Sequence, residues 1–107
     1  MATEKINIVA SYLNGFAYES LDVADSVVNL TESKYKNSEG QYAKRAIIII
    51  ETAQIRYRYD SGDPTATEGM IRNPMDILIL NTSANIRNFR AIRKGTTSAK
   101  IFITYEI

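Results

Sequence analysis

Alternation of apolar and polar positions is the dominant pattern along this chain. In residues 5–13, Ile6, Ile8, Ala10 and Tyr12 share one parity and Lys5, Asn7, Val9 and Ser11 the other, the mark of a half-buried strand. Asn14-Gly15 follows; both residues tolerate positive φ, so the pair predicts a type I′ hairpin turn with Phe16 and Tyr18 returning antiparallel. Leu21, Ala24, Val27 and Val28 also fit helical spacing, so this stretch reads as strand, with a short helix as the alternative. The polar segment 31–41 contains a loop at Asn37-Ser38-Glu39-Gly40. Residues 43–51 include four successive isoleucines, stiff at χ1, which suit a strand buried on both faces or deep inside a sheet. Thr52-Ala53 predicts a bend or bulge, after which Ile55, Tyr57 and Tyr59 alternate with Gln54, Arg56 and Arg58 to give an aromatic inner and a polar outer side. Residues 76–80, 86–93 and 99–107 predict three further strands. A slip of the alternation at Ile86, Phe89, Ala91 and Ile92 predicts a β-bulge, and Ile101, Ile103, Tyr105 and Ile107 form the inward row of the last strand.

Seven or eight short strands separated by Gly, Asn, Pro and Ser clusters predict an all-β antiparallel sandwich, with a jelly-roll-like or Greek-key path; a small closed barrel is the alternative. A chain of 107 residues is one domain, 1–107. Its size is sufficient to bury roughly 65% of the unfolded surface. Without cysteine, packing and backbone pairing alone must hold it. Thirteen Lys and Arg against 12 Asp and Glu leave +1, which argues against a dedicated polyanion binder. All seven arginines follow residue 44, an asymmetry too small to name a partner. The N-terminus has neither a basic segment nor an uninterrupted apolar run, and no window approaches the roughly 20 apolar residues of a membrane span. The expectation is a soluble protein made in a cytoplasm, with no membrane partner.

The chemistry-bearing residues point away from catalysis. Histidine and cysteine are absent, as is a phosphate-binding glycine pattern, so the groups that do most proton-transfer, thiol and transition-metal chemistry are missing. A non-enzymatic protein without a cofactor is predicted. Arg56 and Arg58 interleave with Tyr57 and Tyr59, but alternation sends cations and rings to opposite faces, which speaks against nucleic-acid stacking. The expected role of Arg56, Arg58, Arg90 and Arg93 is ion pairing with Asp60, Asp63 or Asp76, or contact at a subunit interface. Asp60-Ser61-Gly62-Asp63-Pro64-Thr65 is turn chemistry, with Gly62 expected at positive φ and Asp60 accepting bonds within the loop. The acids Asp60, Asp63, Glu68 and Asp76 lack EF-hand spacing. Gly95-Thr96-Thr97-Ser98 joins two strands and reads as a hairpin loop. Tyr35 and Tyr42 are candidate interface residues: at exposed loop tips they would favour sugar stacking, whereas an apolar patch on a flat face would favour assembly.

The segments "ETAQIRYRYDSGDPTATEG", "NPMDILIL" and "IRNFRAIRKGTTSAKIFITYE" together resemble a family of small tailed-bacteriophage virion proteins. That family's pattern runs from an Ala-rich strand ending in Glu through "(I/V)R(Y/F)R", "DG-x-x-PT-x-x-x-G", an "NPGD" turn, "FRAIR-x-G" and a terminal "VTY" strand. The matching positions are Glu51, Ile55, Arg56, Tyr57, Arg58, Asp60, Gly62, Pro64, Thr65, Gly69, Asn73, Pro74, Asp76, Phe89, Arg90, Ala91, Ile92, Arg93, Gly95, Thr104 and Tyr105, spread over more than half of the chain. Two departures occur: Ser61 is inserted after Asp60, and Met75 stands where the pattern has Gly. The resemblance implies a structural virion component that decorates a capsid or forms part of a head or neck appendage. Homo-oligomeric assembly and capsid, portal or other virion proteins as partners are implied with it. The alternative function is a β-sandwich recognition module for carbohydrate or a host receptor.

Overall fold

The structure, a computed structural model, describes residues 12–107. Most of the strand expected over 5–13 therefore lies outside the described residues. Eight strands follow: β1 (Gly15–Val23), β2 (Val28–Asn29), β3 (Arg45–Glu51), β4 (Ile55–Arg58), β5 (Met70–Arg72), β6 (Ile77–Leu80), β7 (Arg90–Arg93) and β8 (Ala99–Glu106). Two short helices join them, α1 (Glu32–Tyr35) and α2 (Ser83–Asn88).

The strands form two open four-stranded sheets, ordered β1-β8-β3-β6 and β2-β7-β4-β5, with every pairing antiparallel. In each sheet the first strand pairs with the last that remains, β1 with β8, β2 with β7, β3 with β6 and β4 with β5. That nesting is one long antiparallel ribbon rolled up on itself, the jelly roll. The core lies between the sheets. Val23, Ile48, Ile50, Ile101, Ile103 and Tyr105 enter it from the first sheet and Ile55, Tyr57 and Ala91 from the second, each at 0–1% exposure.

Two expectations need correcting, and two open alternatives are settled. Asn14-Gly15 is not a hairpin turn, because neither residue has positive φ. Asn14 exchanges both backbone bonds with Ile107 at 2.9 Å and so extends the β1–β8 ladder. From Leu21 the strand reading holds over the alternative helix: β1 continues to Val23 with Ala17, Glu19, Leu21 and Val23 facing inward. The slipped alternation at Ile86 is not a bulge but a helix followed by a strand. Thr82 caps α2 by accepting from the Asn85 amide at 3.1 Å, and Ile86 and Phe89 are buried together at helical spacing. The isoleucine run lies in a sheet interior, between β8 and β6, and is not buried on both faces: Ile48 and Ile50 are at 0% exposure while Ile49 is at 42%, because only one layer packs against β3.

Candidate interaction surface

The outward faces of the two sheets are chemically opposite. On the second sheet, register places Arg56 beside Ile92 and Ile71, and Arg58 beside Arg90. The loop between β4 and β5 folds over this face. Arg56 fastens it by donating from Nε to the Ala66 carbonyl and from Nη1 to the Gly69 carbonyl, both at 2.9 Å. Arg58 grips Asp60 with two bonds, Nε to Oδ1 at 3.0 Å and Nη2 to Oδ2 at 2.8 Å. Arg90 Nη1 reaches Asp63 Oδ1 at 2.6 Å. Pro64, within the loop, is buried, and the loop is fastened over the Arg56 and Arg58 part of this face, while Ile71 at its edge stays 39% exposed.

The Arg58 fork, together with the Gly62 amide donating to Asp60, holds the Asp60 carboxyl down to a pKa of about 2. Gly62 itself departs from expectation. Ser61, at φ 73°, takes the left-handed conformation instead, and glycine at 62 leaves room for Arg58: a Cβ there would fall on the guanidinium and make that side chain swing aside. The remaining two candidates play local roles. Asp76 Oδ2 accepts from the Asn73 amide at 2.8 Å and so closes the turn before β6, and Arg93 Nη1 points to Ser98 Oγ at 3.4 Å. Beside the loop, Arg58, Tyr59, Asp60, Glu68, Gly69 and Met70 line an open cleft of about 580 Å³. Among the described residues no three acids gather closely enough to hold a metal ion.

Among the described residues, no loop covers the first sheet in this way. Its outward side chains fall in rows set by register: Tyr18, Thr104, Ile47 and Ile79 in one, Ser20, Phe102, Ile49 and Ile77 in the next. Tyr18 is 56% exposed, Ile77 61%, Ile79 49% and Ile49 42%. Those four side chains alone open roughly 450 Å² of surface, within the size range of the largest patch on a monomer, which is often functional. Charged rows bound it, with Arg45 paired to Glu106 at one end and Lys100 beside Glu51 and Asp22 at the other.

No family model, curated protein or solved structure matches this chain. Among the described residues no helix is long and apolar enough to cross a membrane. Tyr35 is not available to a partner: it is 8% exposed, and its ring packs 6.1 Å from Tyr42 and 6.2 Å from Tyr105. Tyr42 is half-buried and clasped between the Lys36 ammonium at 5.3 Å and the Arg87 guanidinium at 4.7 Å.

Sequence reasoning missed the outward isoleucine rows and one buried carboxylate. The signal for the rows was the isoleucines of residues 47–50 and 77–79, because two layers can bury only one face of each sheet. Glu19, 8% exposed, sits at the inward parity of β1 and accepts from Tyr105 Oη at 2.5 Å, Thr31 Oγ1 at 2.6 Å and the Thr31 amide at 3.1 Å. It ties β1 to β8 and to the start of α1, and burial followed by the bond to Glu19 pushes the Tyr105 hydroxyl pKa far up.

Proposed function

We propose that this chain is a non-enzymatic structural component of a bacteriophage virion, decorating the capsid or forming part of a head or neck appendage. The observation that carries the assembly reading is the bare apolar face of the first sheet. Exposing isoleucine and tyrosine side chains to water is unfavourable, and a contiguous, flat group of them bounded by charge has the composition of an interface centre and rim. Jelly rolls occur in viral capsid and lectin domains alike, so the fold is compatible with this role without selecting it. The resemblance to small tailed-phage virion proteins adds support at one position. Met75 has φ 76°, a conformation natural to glycine, where the resembled pattern carries glycine. Mass spectrometry of virions purified from the host culture, with the neighbouring genes sequenced, tests the reading. Detection of the chain in intact particles is expected, and its absence there, with no capsid, portal or tail gene nearby, would refute it.

A second reading, carbohydrate or host-receptor recognition, is favoured by the cleft beside Tyr59, where a partly exposed ring adjoins Arg58, Asp60 and Glu68. Such a mixture of ring face and fixed polar groups suits a sugar. Binding on a glycan array that Tyr59→Ala abolishes would support it.

A further inference from the structure

We infer that the partner of the bare face is a second copy of this chain, seated face to face about a twofold axis; this rests on the assembly reading above and specifies its occupant. Charge placement favours this occupant. Register sets Arg45 opposite Glu106 at one end of the β3–β8 pair and Glu51 opposite Lys100 at the other, all four on the outward parity. The four charges thus mark the corners of a rectangle on which sign alternates around the perimeter.

Two stacked sheets related by a twofold must have its axis in the plane between them, and aligned packing keeps the strands within about 30° of each other. An axis along the strands carries β8 over the partner's β3. Lys100 then faces the partner's Glu51, and Glu106 faces the partner's Arg45. An axis across the strands instead brings Lys100 over the partner's Glu106 and Glu51 over the partner's Arg45. Either way every corner meets the opposite sign. An arbitrary set of four charges does not have this property; three of one sign, or like signs on one edge, would set repulsion against one or both arrangements. Between the corners the apolar rows meet each other, with Phe102 over Ile49 or Ile49 over Ile47 in the two cases.

The area fits a modest dimer. Roughly 450 Å² of exposed apolar side chain, enlarged by half-buried Ile47 and Phe102 and by the charged rim, approaches the ~800 Å² per partner of a standard interface. Association is therefore expected to depend on concentration and on salt, since the corner pairs sit at the solvated rim.

Sedimentation equilibrium on the wild-type chain is the first test, with a dimer expected at ~100 µM. Arg45→Glu/Lys100→Glu leaves acids at all four corners and Glu51→Lys/Glu106→Lys leaves bases at all four, so each variant alone should be monomeric. Mixed in equal amounts, they should form a one-to-one dimer, because all four corners then attract under either axis. Adding Ile49→Ser to both partners keeps every charge and should abolish the mixed dimer. A mixed dimer that survives Ile49→Ser would overturn the proposal, showing association by net charge alone. A strictly monomeric wild-type chain would overturn it even if the variants fail to fold. If that monomer binds purified capsids, and Ile49→Ser removes the binding, the assembly reading stands while the self-pairing falls.

Discussion

Removing the Tyr105 hydroxyl should reveal how strongly the buried Glu19 carboxylate binds the sandwich together. Tyr105 is at 0% exposure and Glu19 at 8%, with 2.5 Å between their oxygens, so neither has ready recourse to water. A hydrogen bond to a charged group contributes about 1.5–3 kcal/mol net, so Tyr105→Phe should destabilise by about 2 kcal/mol. Glu19→Ala orphans a buried tyrosine hydroxyl and strips the acceptor from the Thr31 hydroxyl and amide, for a cost of about 2–4 kcal/mol. Once Glu19 is gone the hydroxyl is a liability, so the double variant should be no less stable than Glu19→Ala. The coupling energy is then about 2 kcal/mol. Urea unfolding followed by circular dichroism measures all three variants against the parent. In thermal melts each kcal/mol corresponds to about 4 °C for a domain of this size. Additive single effects, with coupling below about 0.5 kcal/mol, would mean that the carboxylate does not hold the hydroxyl, and the account of this buried pair would fail.

Adjacent isoleucines should respond oppositely to charge. Ile48→Asp places a carboxylate at a site with 0% exposure and should cost several kcal/mol, a large share of the ~5–15 kcal/mol of a small domain, whereas Ile49→Asp on the outer face should cost under about 1 kcal/mol in dilute thermal melts. In the β4–β5 loop, Ser61→Gly relieves a residue at φ 73° and should be neutral or stabilising by up to about 1 kcal/mol in the same assay. Gly62→Ala should displace Arg58 and destabilise the loop. Carboxyl NMR should find Asp60 titrating at about 2 and moving upward in Arg58→Ala. Because the folded pKa is depressed, the Asp60 contribution to stability is complete above about pH 4 and is lost as pH falls through about 2.

Strand content, the antiparallel sandwich and the inward rows of the later strands were legible in the sequence, because period two is set by backbone geometry and needs no knowledge of neighbours. Ile101, Ile103 and Tyr105 show it, alternating with Lys100, Phe102 and Thr104. The same local chemistry marked the turn acids, and Asp60 and Asp63 do meet arginines. What local pattern could not decide was which face of an all-apolar strand meets a second layer. Ile47 to Ile50 read alike as residues, and only the stacking of two sheets, which puts one face of β3 against a second layer, separates buried Ile48 from exposed Ile49. Asn14-Gly15 failed for a related reason: its turn propensity is outweighed by two ladder bonds to Ile107, 93 residues away, whose position only the rolled-up fold supplies. Glu19 was equally invisible, since a carboxylate at an inward position is tolerable only where tertiary structure brings it the hydroxyls of Tyr105 and Thr31.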